Sequence, residues 1–203
     1  KYLVQHIGEL SKEYNIGWWK YDQDFFTAET RYGVMKNVVA LQEALTTVRK
    51  AYPGLYIESC QSGGRMMNEF TLLSSQAQWI RDGGSTGPGH ARSNFAEALQ
   101  AMEFLPPRAV NRWINRPNEN DQANDEFTRM YCRSAMAGIC GLVADLPLIG
   151  ERQRNVIILE VERYRRLSRL KSDCLYQIFS PRKGAQAAGI VFYNTEKTSA
   201  GLL

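Results

Sequence analysis

The sequence predicts an α/β fold, a partial (β/α)8 barrel followed by the first strands of an all-β region, and three observations carry that expectation. Short apolar runs alternate with stretches of helical periodicity, making five strand–helix units before residue 171. No Gly-x-Gly-x-x-Gly follows any of those runs, which disfavours a doubly wound dinucleotide-binding sheet. Chemistry-bearing residues stand after one run after another, at Asp22, Cys60, Asp82 and Asp145. A barrel gathers its site from many strand ends on one face, whereas an open sheet concentrates it in one crevice.

Each element follows from local pattern. Residues 1–14 carry Leu3, Ile7 and Leu10 at helical spacing, and 16–21 is an apolar strand closed by Asp22. Residues 35–51 place Val38, Leu41, Leu45 and Val48 on one helical face, with Pro53-Gly54 as the stop. A strand over 55–59, a Gly-rich turn, a short helix over 68–75 and a strand over 77–81 closed by Asp82 come next. Phe95, Leu99 and Met102 make 90–105 a helix, halted by Pro106-Pro107. Strands over 110–114 and 140–144 flank a helix over 125–138, and 151–171 is a long helix with Ile157, Val161, Tyr164, Leu167 and Leu170 in helical steps. Strands separated by helices imply a parallel sheet.

Beyond residue 171 the pattern changes. Residues 175–179 and 189–194 read as β-strands around a turn at Pro181-Arg-Lys-Gly184, and 194–201 reads as a hairpin connection. Five units cannot close an eight-stranded barrel. The chain is therefore expected to be a piece of a longer protein, with 1–172 the later part of a barrel and 173–203 the start of a β-domain.

Composition narrows the functional classes. The chain has 203 residues, 44% apolar and 23% charged, with a net charge of +4, which fits a globular domain with a real core. Its basic residues gather in 151–171 as the wet face of a helix rather than as a patch interleaved with stacking aromatics, so nucleic acid is not an expected partner. No apolar run is long enough for a transmembrane helix. Cys60, Cys132, Cys140 and Cys174 form no Cys-x-x-Cys pair, and His6 and His90 are the two histidines, a set that disfavours a zinc site. Unclustered cysteines favour a reducing, cytoplasmic compartment.

Three motifs in order carry a specific resemblance. Lys20-Tyr21-Asp22 resembles the Lys-Trp-Asp nucleophile motif of glycoside hydrolase family 36, the melibiase-type α-galactosidases. Glu58-Ser-Cys-Gln-Ser-Gly-Gly-Arg65 is similar to the family's Glu-Asn-Cys-x-Ser-Gly-Gly-Gly-Arg turn. Gln78-Trp79-Ile80-Arg81-Asp82 is similar to its Gln-x-Trp-x-Ser-Asp segment, which ends in the acid/base. Met136-Ala-Gly-Ile-Cys-Gly-Leu-Val-Ala-Asp145 looks like the family's last barrel strand and the helix before it. The resemblance implies a chain running from about barrel strand four into the C-terminal β-domain.

It also implies a retaining exo-α-galactosidase acting on terminal α-galactosides or oligosaccharides. Such enzymes use two carboxyl groups about 5–5.5 Å apart, one attacking the anomeric carbon and the other protonating the departing oxygen. Asp22 matches the nucleophile and is expected to be ionised; Asp82 matches the acid/base and is expected to be kept protonated by burial and by the negative charge of Asp22. Lys20, on the same strand face as Asp22, brings a positive charge and sugar hydrogen bonds. Cys60, Gly63, Arg65 and Trp79 match substrate-binding positions. No metal or cofactor is called for, and the sequence leaves a homo-oligomer open. Four departures lie toward the leaving-group side and bear on substrate identity. Ser59 replaces Asn, the glycine run is one shorter, Arg81 replaces Ser, and Gly83-Gly-Ser-Thr-Gly-Pro-Gly89 follows the acid/base. A related α-glycosidase, a raffinose-synthase-type α-galactosyltransferase and a non-catalytic carbohydrate-binding relative are the alternative readings.

Plainer roles stand beside these. An Asp after a strand also serves as helix cap or turn residue, Asp24 and Asp145 read as structural, and strand aromatics such as Trp79 are mostly packing. Trp18 and Trp19 point to opposite faces, and the pattern does not say which faces substrate.

Overall fold

The structure is a computed structural model. It describes residues 2–22, 30–64, 67–82, 88–115, 124–143, 146–171, 175–179, 189–194 and 199–202. The class is the expected one, α/β with five parallel strands alternating with helices as in part of a (β/α)8 barrel, together with a three-stranded antiparallel sheet. The chain divides into two compact units, Lys1–Asp82 and Gly83–Leu203.

The first unit runs α1 (Tyr2–Glu13), β1 (Trp18–Tyr21), α2 (Arg31–Ala51), β2 (Tyr56–Ser59), α3 (Gln61–Gly64), α4 (Glu69–Ser74) and β3 (Ala77–Trp79). β1 pairs with β2 in parallel, Trp18 beside Tyr56 through Tyr21 beside Ser59, and β2 pairs with β3 from Glu58 beside Ala77. Strand side chains alternate between faces. Trp19, Tyr21 and Ile57 turn toward the helices, where they pack with Ile7, Leu45, Val48 and Leu55. Burying each such aliphatic side chain contributes about 1.5–3 kcal/mol. The other face is left to Trp18, Lys20 and Asp22 on one strand and Glu58 and Cys60 on the next.

Caps explain where the helices begin. α2 starts four residues before the expected position 35, because the Thr30 side chain accepts a hydrogen bond from the Gly33 N–H. α4 starts at a reciprocal cap in which Asn68 accepts from Phe70 and Thr71 while the Thr71 hydroxyl accepts from the Asn68 N–H. Removing such a cap costs about 1 kcal/mol. β3 is shorter than expected, leaving Ile80 to Asp82 beyond the ladder. The Gly-rich turn contains a single helical turn, α3, that pattern reading did not anticipate.

The second unit runs α5 (Pro88–Ala101), β4 (Val110–Asn115), α6 (Asp125–Ala135), β5 (Ile139–Val143), α7 (Glu151–Lys171), β6 (Leu175–Phe179), β7 (Gly189–Asn194) and β8 (Ser199–Leu202). β4 and β5 are parallel; β6, β7 and β8 are antiparallel neighbours in that order. β8 occupies residues expected to be a hairpin connection, since Ser199 already pairs with Asn194. The core joins Ile114, Tyr131, Cys132, Met136, Ile157 and Leu167. Buried Arg112 on β4 bonds to Asn94 and pairs at 3.2 Å with Glu97, both on α5. Buried Glu160 on α7 takes two hydrogen bonds from Arg133 at 2.9 and 2.8 Å and meets Arg163 at 3.4 Å. The arginines of α7 itself, Arg152, Arg154, Arg163, Arg165, Arg166 and Arg169, are exposed, as expected of a wet face. Among the described residues, no helix is long and apolar enough to cross a membrane.

Gly138, at the entry to β5, lies against β4 so closely that a Cβ there would stand 2.1 Å from the Val110 carbonyl oxygen. Gly138→Ala is expected to destabilise the protein by roughly 1–3 kcal/mol, the usual range for overpacking. Urea unfolding should show a lower midpoint at unchanged slope.

Candidate active site

The unpacked face of the first unit and the ends of its three strands bring together most of the residues singled out in the sequence. Asp22 and Cys60 follow β1 and β2 directly, and the Cys60 N–H donates to the Tyr21 carbonyl at 3.0 Å. Lys20 stands one layer deeper, in register with Glu58. Trp79 ends β3 and Asp82 lies three residues on.

Contacts link these groups into a chain that runs from Asp22 to Lys20. The buried Cys60 thiol, 1% exposed, donates to the Asp22 carboxylate, and the Gly63 N–H points at its sulfur. Gly63 in turn lies against Asp82, since a Cβ there would be 2.7 Å from the Asp82 Cγ and Oδ2. Asp82 Oδ1 accepts from the Trp79 indole N–H at 2.7 Å. The Lys20 ammonium lies 4.3 Å from the Trp79 ring centroid, a cation–π distance, and Lys20 is two residues from Asp22 on the same strand face. Asp22 and Asp82 are both exposed while Cys60 and Trp79 beneath them are buried. Asp82 therefore departs from the expected buried position, because β3 ends early and carries it past the ladder.

The turn between Cys60 and Gly64 is unusual backbone. Gln61, Gly63 and Gly64 have φ of 46°, 70° and 79°. Glycine adopts this left-handed region freely, but Gln61 does so at a cost of order 1–2 kcal/mol. The Gln61 amide donates to the Tyr21 hydroxyl at 2.8 Å. Gly64 packs so tightly under the strand that a Cβ would be 2.4 Å from the Ile80 carbonyl oxygen.

The structure settles the two tryptophans of β1. Trp19 packs on the helices, whereas Trp18 is on the site face, stacked on Tyr56 at 4.4 Å with its N–H donating to Glu58 Oε2 at 2.8 Å. Glu58 also lies on this face, a position that the motifs alone do not single out. It is 2% exposed and its Oε1 has no hydrogen-bond partner among the described residues. The signal was its position two residues before Cys60, on the same face. Arg65, Asp24, Asp145, Cys174 and the 83–87 loop lie outside the described residues. Among those described, no group of three or more His, Cys, Asp or Glu side chains could hold a metal ion. A separate cleft of about 490 Å³ in the second unit, lined by Phe95, Met130 and several arginines, contains none of the predicted site residues.

Burial pushes the Cys60 thiol up to about 11; Asp22 adds to the rise, while the Gly63 N–H and Lys20 oppose it. The thiol is therefore neutral near pH 7.5. Native Cys60 is expected to react with iodoacetamide roughly 10²–10³-fold more slowly than in the urea-unfolded chain, by the ratio of thiolate fractions. Peptide mass spectrometry reads both rates. The folded state keeps a proton that the unfolded chain releases near pH 9.0. This contribution to stability is full below that pH and is lost as pH rises to about 11.

No protein-family model matches the sequence, and no curated protein matches it in sequence. Solved structures do match its fold. The α-galactosidase from Lactobacillus brevis superposes with a TM-score of 0.79 over 97% of this chain, at 14% identity. The GH36 α-galactosidase AgaA from Geobacillus stearothermophilus superposes with a TM-score of 0.78 over 99%, at 16% identity. The galactosidase domain of the α-galactosidase–sucrose kinase AgaSK gives 0.76 over 95%, at 19% identity. Variants of AgaA have been solved with raffinose and with stachyose. The chain spans 26–29% of the length of these proteins. Over nearly all its described length, this chain therefore has the fold of one segment of the GH36 α-galactosidases.

Proposed function

We propose that this chain is the part of a retaining α-galactosidase that carries both catalytic carboxyl groups, with residues 1–172 belonging to its barrel and 173–203 opening its C-terminal β-domain. The observation that supports this most is the series of contacts running from Asp22 through Cys60, Gly63, Asp82 and Trp79 to Lys20 at the ends of three parallel strands. Two exposed carboxyl groups stand on a buried floor, at the end of the strands where barrel enzymes build their sites. The three ordered motifs and the fold shared with α-galactosidases point the same way.

The chemistry follows from the two carboxyl groups. Asp22 attacks the anomeric carbon of a terminal α-galactoside as the bond to the aglycone oxygen breaks. Asp82 gives its proton to that oxygen. Asp82 then takes a proton from water, which attacks the same carbon and breaks the galactosyl–Asp22 bond. Two inversions release galactose with its original anomeric configuration. Lys20 supplies positive charge next to the nucleophile, and Cys60 holds the Asp22 carboxylate in place.

The test uses the full-length protein. Asp22→Ala is expected to lower kcat on a nitrophenyl α-galactoside by at least about 10³-fold, the scale of a lost nucleophile. Near-normal turnover would end the assignment. For the wild type, NMR should show the α-anomer of galactose as the first product; initial β-galactose would exclude retention. A panel of nitrophenyl α-glycosides separates galactose from other sugars. Transfer to an added sugar acceptor in preference to water would identify a galactosyltransferase instead.

A further inference from the structure

We propose that Trp79 and Gly63 act as positioning residues that seat the Asp82 carboxyl group from two sides. This rests on the reading of Asp82 as acid/base and adds how its geometry is set. Asp82 lies beyond the end of β3, exposed and outside the ladder. A short exposed carboxyl on a strand extension has several rotamers of similar energy. Two contacts remove that freedom. The Trp79 indole N–H holds Oδ1 at 2.7 Å. On the Oδ2 side Gly63 leaves room only for itself, since a Cβ would be 2.7 Å from that oxygen and 2.8 Å from the Asp82 nitrogen. The indole cannot swing away, because it is 3% exposed and carries the Lys20 ammonium over its face. The cradle also couples the two halves of the site, since Lys20 shares a strand face with Asp22.

The test separates seating of an acid from sugar binding and from general structure. A general acid matters for an alkyl leaving group and little for an activated aryl one. In the full-length protein, kcat/KM is measured for Trp79→Phe and Gly63→Ala on methyl α-galactoside and on 2,4-dinitrophenyl α-galactoside. Each variant is expected to lose at least about tenfold more on the methyl than on the dinitrophenyl substrate, the lower part of the range for general acid catalysis. Equal losses on both substrates overturn the proposal, as does a loss that appears wholly in KM with a matching rise in the inhibition constant for galactose. Asp82→Ala serves as reference: no leaving-group dependence there would strike the acid/base assignment and not the cradle. A readout independent of turnover is the crystal structure of Trp79→Phe. Its Asp82 carboxyl is expected to leave the wild-type rotamer, and an unchanged, fully occupied rotamer would overturn the proposal.

Discussion

The parallel register of β1 and β2 decides what everything around the candidate site can do. With Lys20 beside Glu58 and Tyr21 beside Ser59, every odd residue of β1 faces the helices and every even one faces away. The apolar partners Trp19, Tyr21 and Ile57 enforce that phase by packing on Leu45 and Val48. A slip of one residue would bury Lys20 among those aliphatic side chains and expose the tryptophan and tyrosine, exchanging the two faces. The register is thus held by hydrophobic burial, and the placement of Asp22, Lys20, Glu58 and Cys60 follows from it.

Around that register the unit separates exposed groups from the buried ones that support them. Asp22 and Asp82 are open to solvent, while Cys60, Trp79 and Glu58 below are almost fully enclosed. Glu58 gives one oxygen to the Trp18 indole and leaves the other without a partner among the described residues. Leaving a buried acceptor unmatched costs of order 1–3 kcal/mol. Stability alone would favour an apolar side chain at that position.

Much of this was readable from residues alone, for identifiable reasons. β6, β7 and the 21-residue α7 match the expected bounds, because their periodicity is sustained and their neighbours are polar. The start of α2 was hidden because Arg31, Tyr32 and Gly33 give no acidic first-turn signal, and only the Thr30 cap betrays it. β3 looked longer because Ile80 is apolar, although pairing stops at Trp79. The glycines announced a turn but not its left-handed entry at Gln61, which lies in a region few non-glycine residues adopt. The link from Trp79 to Asp82 could not be read either, since a spacing of three has a defined meaning on a helix and none on chain leaving a strand.

The turn from Gln61 to Gly64 has a consequence for how the protein can change. Glycine at 61 would relieve the backbone cost of its left-handed conformation but would lose the contacts of a buried side chain. Glutamine instead ties the turn to the Tyr21 hydroxyl, and so to the strand that ends in Asp22. At the other end Gly63 abuts Asp82 and Gly64 abuts the backbone of Ile80. The segment works as a spacer of set length between two carboxyl groups. Insertions that an ordinary surface loop would absorb would here alter the gap between them. Changes of length are therefore less accessible in this turn than in an ordinary surface loop.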